Sequence, residues 1–270
     1  MNNTAIAFSG NIPEKYDAYL GPMLFEPYAV DMASRIHIDS KEASLLELAC
    51  GTGRVTKHLR SSLPSSVQLF ATDLNKDMLD IAKAKNHGQK IEWGLADAQD
   101  LPFQDESFDT VVCQFGFMFV PDKAKAFAEA FRVLTKGGSI IFSTWDSLAN
   151  NRLFDMANNI VSSYFPETPP IFYHIPFSLF DTKELEVLVR GAGFSGLKIE
   201  LLKKEAISPS AKDATIGMVE GNPIQSFILE KNPTLFDTIR SDVEKQISSQ
   251  FGDRPLKAPM QAWIVEAHKN

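Results

Sequence analysis

Seven consecutive residues, Glu47-Leu48-Ala49-Cys50-Gly51-Thr52-Gly53, stand where an apolar run gives way to a helix-forming one. Glycines at 51 and 53 let the backbone turn tightly and approach a ligand that any β-carbon would hold away. Alone, a Gly-x-Gly pair is a turn and no more. Asp73 sharpens it, because it ends the next apolar run roughly 20 residues further on, where a carboxylate can accept both hydrogen bonds of a ribose diol. The plain reading of Asp73 is an N-cap for the helix that starts near Asn75. Asp97, followed by Ala98, comes after the third run, placed to accept from the exocyclic amine of adenine; a solvated acid is the alternative. Two acids ending successive strands suit an adenosine without phosphates. A dinucleotide site would share the first two features, but its fingerprint wants a third glycine three residues after the second, and that position is Thr56.

These residues need strands to end where they stand. Strand-like and helix-like runs alternate through the first half of the chain, which predicts a parallel sheet with covering helices. Strands are expected over 44–49, 67–72, 90–95, 108–114 and 139–145, and helices over 54–61, 76–84 and 122–134. The last of these helices is expected to end at Lys136-Gly137-Gly138 with glycine as its cap. Ahead of the first strand, 13–38 reads as helical turns broken at Gly21-Pro22 and Pro27. Beyond residue 146 the pattern loosens into a helix over 148–164, a proline-rich loop over 166–176, and a helix over 181–191 capped by Asp181 or Thr182. Strands six and seven fall at 197–206 and 262–267, and the stretch between them, around 210–252, predicts a helical lid over a substrate pocket. The expected fold is α/β, a doubly wound, seven-stranded, mostly parallel sheet with helices on both faces. It forms one domain over 1–270, with a helical cap (1–40), a cofactor-binding core (41–146) and a substrate-side half (147–270).

With 270 residues, 44% of them hydrophobic, the chain can bury one large core. A formal charge of -7 gives no general attraction to phosphate backbones or anionic lipid, so neither nucleic acid nor membrane is an expected partner. Only Cys50 and Cys113 are present, both in apolar runs, which predicts buried, inert thiols. The first ten residues lack a secretory pattern, and no apolar run approaches the roughly 18 to 20 residues of a membrane span. A cytoplasmic protein is the expectation.

The runs Leu101-Pro102-Phe103-Gln104-Asp105-Glu106-Ser107-Phe108-Asp109, Val120-Pro121-Asp122 and Arg132-Val133-Leu134-Thr135-Lys136-Gly137-Gly138, with the glycine turn before them, resemble the core of class I S-adenosylmethionine-dependent methyltransferases. Within that family the resemblance is to the group that includes ubiquinone and menaquinone biosynthesis methyltransferases, a small-molecule group with a Rossmann-like sheet. It spans about residues 45–145 and is loose beyond. It implies S-adenosylmethionine as methyl donor, S-adenosylhomocysteine as product and a small organic acceptor. By the same resemblance Glu47 and the backbone of Ala49, Cys50, Gly51, Thr52 and Gly53 hold the methionine portion, and Asp73 holds the ribose. Leu74 and Met78 pack on the adenine, Asp97 and Ala98 read its edge, and Gln114 and Phe115 lie under the methionine end and face the acceptor.

A sulfonium donor is already activated, so the protein has chiefly to align the acceptor and exclude water. No metal is called for. If the acceptor is a hydroxyl or an acidic carbon, a general base helps. Tyr16, His174 and Tyr19 are the candidates, against bland roles in helix and loop packing. The segment after the fourth strand, Cys113-Gln114-Phe115-Gly116-Phe117-Met118, lacks the Asn/Asp-Pro-Pro-aromatic motif of nucleic-acid amino methyltransferases, and there is no basic stripe interleaved with aromatics. Phe115, Phe117, Phe119, Phe172, Tyr173, Phe177 and Phe180 predict an apolar pocket, or core. An NAD(P)-dependent oxidoreductase and a catalytically silent cofactor-binding partner or sensor stay open as alternatives, and so does a homodimer.

Overall fold

The computed structural model describes residues 8, 10–38 and 42–270; the remaining parts of the expected 1–40 cap and of the start of the core lie outside the described residues. Helical structure begins at α1 (Ile12–Lys15), runs through a π-helical segment (Tyr16–Phe25) and continues into α2 (Glu26–Ser34). The sequence predicts a break at Gly21-Pro22; the structure instead widens the helix there. Proline has no N–H to give and its ring crowds the carbonyl four residues back, and a π turn relieves both. The N–H of Glu26 accordingly donates to the carbonyl of Gly21, five residues earlier.

The expected alternation follows: β1 (Ser44–Glu47), α3 (Arg54–Ser62), β2 (Gln68–Asp73), α4 (Lys76–Lys85), β3 (Glu92–Leu95), β4 (Phe108–Gln114), α5 (Lys123–Val133) and β5 (Leu134–Trp145). Asp122 caps α5 through the N–H of Lys125 at 2.9 Å. That helix does not run to the glycines: β5 starts at Leu134, which pairs with Phe108 across an irregular register, and Gly137 donates to the carbonyl of Lys269 at 2.7 Å. A strand partner on each side outweighs the glycine stop signal. Then come α6 (Arg152–Tyr164), a 3-10 turn (Phe172–His174) inside the proline-rich loop, α7 (Thr182–Gly191) and β6 (Ser195–Ser208). Asp181, not Thr182, caps α7, accepting from the N–H of Lys183 at 2.9 Å. The insertion holds α8 (Ala211–Thr215), a π turn (Ile216–Glu220), α9 (Ile224–Lys231) and α10 (Phe236–Phe251) before β7 (Leu256–His268) closes the sheet.

The seven strands lie in the order β3-β2-β1-β4-β5-β7-β6. β1 pairs in parallel with both β2 and β4, β2 with β3 and β4 with β5, whereas β7 runs antiparallel to β5. The expected mostly parallel sheet is thus the observed one. The central strands are apolar because helices cover them on both faces: Leu45, Leu46, Val111, Val112, Ile140 and Phe142 are fully buried. Strand order reverses between β1 and β4, and the crevice beyond the carboxyl ends of such strands is where this architecture receives ligands.

Two compact units divide the chain. One comprises Tyr28–Asp146, Pro176–Leu202 and Ala262–Asn270 and contains the strand ends just named; the other comprises the described part of Met1–Pro27 together with Ser147–Ile175 and Lys203–Gln261. In the second unit α10 packs on α6 and α8, and the two π-helical segments pack on each other. Gly217 makes the latter approach close: a β-carbon there would stand 2.8 Å from Leu20 Cδ2. Lys15 pairs with Glu220, Arg240 reaches the same carboxylate at 3.4 Å, and the Tyr173 hydroxyl donates to the carbonyl of Met218 at 2.7 Å.

Candidate functional site

Glu47 is the last residue of β1 and only 1% exposed. Its Oε2 has no hydrogen-bond partner among the described residues. Burial pushes the carboxyl up to about 8; Thr56, on the first turn of α3, offsets this in part, and the nearby Asp73 adds to it. Thr56 occupies the position where a third glycine would indicate a pyrophosphate, and its fully buried side chain helps close the wall beside Glu47.

The turn after Glu47 is held by its backbone. Cys50 donates to the carbonyl of Thr72 at 2.9 Å and Gly53 to that of Cys50 at 2.9 Å. Ala49, Gly51 and Gly53 all have positive φ, at 51°, 55° and 76°. For Ala49 the left-handed conformation costs about 1–2 kcal/mol. Gly53 also meets the end of α4, where a β-carbon would lie 2.8 Å from Asn86 Nδ2, whereas among the described residues nothing lies within 4 Å of the β-carbon position of Gly51. The space beside Gly51 is open, and a side chain would fill it.

Asp73 closes the turn from the next strand. Its Oδ2 accepts from the N–H of Gly51 at 2.8 Å and its Oδ1 from that of Asn75 at 2.7 Å. It is not the cap of α4: Asn75 is, accepting from the N–H groups of Asp77 and Met78 at 2.9 and 3.1 Å. Burial raises the Asp73 carboxyl, and the backbone donors act against that. The Leu74 N–H also bonds to it; a carboxylate offers about four acceptor sites, which leaves capacity for a further donor from a ribose hydroxyl. Beside it Leu74 is 69% exposed, an apolar surface at the mouth of the turn, while Met78 is buried beneath.

Asp97 follows β3, whose end is tied to β2 by the Ala96 N–H donating to the Asp73 carbonyl at 3.1 Å. Asp97 is engaged by Gln99, whose backbone N–H donates to Oδ1 at 2.8 Å and whose side-chain amide donates to both oxygens at 3.1 and 3.2 Å. Gln99 in turn accepts from the N–H of Asp122 at 2.9 Å, joining this loop to the start of α5. Thr56 and Gln99 are the supporting residues that sequence reasoning missed; Gln99 was legible only as the second residue after an Asp, the spacing of an Asx turn.

Gln114 ends β4, and Phe115 follows with φ 54° and its N–H donating to the carbonyl of Ser143 at 3.1 Å. The Phe115 ring is buried against Trp145, stacked at 4.0 Å between centroids. Glu47, residues 49–53, Asp73, Leu74, Met78, Asp97, Ala98, Gln114 and Phe115 therefore all sit at or just beyond the carboxyl ends of β1 to β4, within one unit. Tyr16 and His174 belong to the other unit. Tyr16 stacks on Phe25 at 4.9 Å and meets Phe8 edge-on at 5.5 Å; His174 is exposed in its 3-10 turn. Of the aromatic set expected to line a pocket, Phe115, Phe117, Phe172, Tyr173 and Phe177 are buried, whereas Phe180 is 46% exposed. Cys50 and Cys113 are buried, and burial raises both thiols, Cys113 to about 12.

A doubly wound sheet with one antiparallel strand has the fold of the class I methyltransferases. A methyltransferase-domain family matches residues 46–142. The demethylmenaquinone methyltransferase of Staphylococcus epidermidis is 32% identical over 166 residues, covering 60% of this chain and 67% of that protein. The ubiquinone/menaquinone biosynthesis C-methyltransferase of Rickettsia bellii is 28% identical over 210 residues, 71% of this chain and 85% of that one. Among solved structures, phosphoethanolamine N-methyltransferase 2 of Haemonchus contortus, in complex with S-adenosylmethionine, superposes with a TM-score of 0.61 at 17% identity, covering 95% of this chain and 56% of that one. The cyclase SpnF shares the fold too, with a TM-score of 0.53 at 15% identity over 90% of this chain and 81% of that one, a reminder that this sheet hosts more than one chemistry.

The chain belongs to the class I S-adenosylmethionine-dependent methyltransferases of the ubiquinone and menaquinone biosynthesis type. It transfers a methyl group from S-adenosylmethionine to a small organic molecule.

Proposed function

We propose that the acceptor is a hydroxylated aromatic ring of the quinol kind and that a ring carbon receives the methyl group. The names of the two relatives, one acting on demethylmenaquinone and one a C-methyltransferase, support this reading. The observation that carries the donor side is the unpartnered, fully enclosed Oε2 of Glu47 beside an open glycine turn. A buried carboxyl of this kind is costly unless a cation or donor meets it, and the α-ammonium of the donor's methionine end is such a group.

The donor supplies an activated methyl on a sulfonium and leaves as a thioether. Glu47 and the N–H groups of the 49–53 turn hold the methionine end, and Asp73 accepts from the ribose hydroxyls while its bonds to Gly51 and Asn75 fix its direction. Leu74 and Met78 sandwich the adenine ring, with Asp97 and Ala98 at its edge. Gln114 and Phe115 face the reacting end. Methylation at a ring carbon forms a carbon–carbon bond and releases a proton from that carbon; Tyr16 or His174 takes it as general base. Residues 1–270 act as one methyltransferase domain, with 147–270, including the helical insertion, as its substrate-side half. Operation in the cytoplasm as a monomer or homodimer, without nucleic acid, completes the proposal; no helix among the described residues is long and apolar enough to cross a membrane.

The test is calorimetric titration with S-adenosylmethionine, S-adenosylhomocysteine and NADH, then labelled-methyl transfer to a reduced short-chain naphthoquinone. Binding of both sulfur nucleosides and label at a ring carbon are expected. Binding of NADH alone overturns the donor assignment, and label only on oxygen or nitrogen acceptors overturns the acceptor.

A further inference from the structure

We propose that Trp145 is a positioning residue for the donor turn and acts through Phe115; this rests on the reading of residues 47–53 as the donor's seat. Phe115 has a backbone conformation that side chains rarely adopt, with φ 54°, so something must hold it there. Trp145, at the end of β5, lies face to face with its ring, 4.0 Å between centroids and 8° between planes. Tyr28 meets both rings edge-on, at 5.2 Å from Phe115 and 5.4 Å from Trp145, each at 89°. Its hydroxyl donates to the carbonyl of Leu202 at 3.3 Å, which anchors the third ring to β6. Stacked and edge-on pairs are the favoured aromatic geometries, so the Phe115 ring has one comfortable position.

The next residue transmits it. Gly116 approaches the donor turn so closely that a β-carbon on it would stand 2.6 Å from both Ala49 Cβ and Cys113 Sγ. Ala49 is itself left-handed at φ 51°. Two strained residues at the ends of neighbouring strands are thus linked through Gly116, and the Trp145 ring backs the second. Removing that ring lets Phe115 relax to negative φ, withdraws Gly116 and frees Ala49 to relax as well. The donor turn then loses its shape although none of its own residues has changed.

The experiment uses the whole chain, S-adenosylhomocysteine calorimetry and amide hydrogen exchange. Trp145→Leu is expected to weaken binding about tenfold, the equivalent of relaxing one left-handed residue, and to speed exchange over 47–53 more than over 68–73. Trp145→Phe, which keeps a stacked ring, stays within about twofold of the parent. In a Phe115→Gly background, where the left-handed conformation costs nothing, Trp145→Leu adds less than about twofold. Ile141→Ala, a buried change in the middle of β5, is the core control: it lowers Tm but leaves affinity and exchange at 47–53 in place. Unchanged affinity and exchange in Trp145→Leu, an equal loss in Trp145→Phe, or an equal loss in Ile141→Ala overturns the proposal. If Trp145→Leu does not fold, Tyr28→Leu replaces it, with a smaller loss in the same direction expected and none overturning. A parent chain that binds no S-adenosylhomocysteine would refute the donor seat, and the exchange comparison would still decide the clamp.

Discussion

Two buried glutamates, one in each unit, have met opposite fates. Glu220 is 6% exposed and carries two cations, Lys15, 205 residues away in sequence, and Arg240, 20 residues away. Glu47 is 1% exposed, and among the described residues no cation pairs with it and one of its oxygens has no partner. Both sites have accepted the cost of taking a carboxyl group out of water. In the helical unit the chain itself supplies the compensation, and the result is a clasp between α1 and the π turn. At the end of β1 the compensation is left incomplete, and the incomplete site is the one that can receive a positively charged ligand.

Several variants would break or sharpen that contrast. The largest effect belongs to Glu47→Gln, which keeps the shape and removes the charge: affinity for S-adenosylhomocysteine should fall about 30-fold, roughly 2 kcal/mol. Its pH signature has a definite sign. Glu47 titrates near 8 in the folded chain and at about 4.3 when unfolded, so between those values the unfolded state holds fewer protons. The stability that Glu47 contributes is complete below the lower value and is lost as pH climbs to the upper one. Thermal unfolding of the unliganded chain should show this decline, shallower in Glu47→Gln, with Asp73 adding in the same direction. Ligand binding should expel a proton below pH 8, visible by calorimetry in buffers of different ionisation enthalpy.

Next is Lys15→Met, which strips Glu220 of one partner. It should cost about 1–2 kcal/mol of stability, discounted because Lys15 is partly exposed, and leave S-adenosylhomocysteine affinity unchanged. A matching loss of affinity would erase the distinction between the two glutamates. Asp97→Ala should weaken the same ligand about fivefold, roughly 1 kcal/mol, because its carboxylate is already engaged by Gln99. Smallest is Asp80→Ala, which removes an exposed pair with Lys76 on α4; Tm and affinity should both stay where they are.

The donor half was legible because its signals are local. An apolar run followed by Gly51-Thr52-Gly53, and acids at the ends of the next two runs, place their residues by strand geometry alone. Asn75 against Asp73 as the cap of α4 was harder, since two short polar residues two positions apart compete for the same role. The span of α5 was read to within a residue at each end, but its expected glycine cap was not found, because Gly137 answers to pairing with residue 269, a contact spanning half the chain. The same limit hid the Lys15–Glu220 clasp, whose partners are 205 residues apart, and the stack of Phe115 on Trp145, which alternation shows only as two apolar positions. Tyr28 lies in the stretch read as broken helical turns, and nothing nearby in sequence reveals that its ring meets Phe115 and Trp145.

The position of β7 has a consequence for how the molecule is made. β5 and β6 follow one another in the chain yet are not neighbours; β7, which comes after both, is inserted between them. While the polypeptide is still emerging from the ribosome and β7 has yet to appear, both strands present open edges that β7 goes on to cover. A chain cut short before Leu256 would keep every residue proposed to contact the donor and leave those two edges bare.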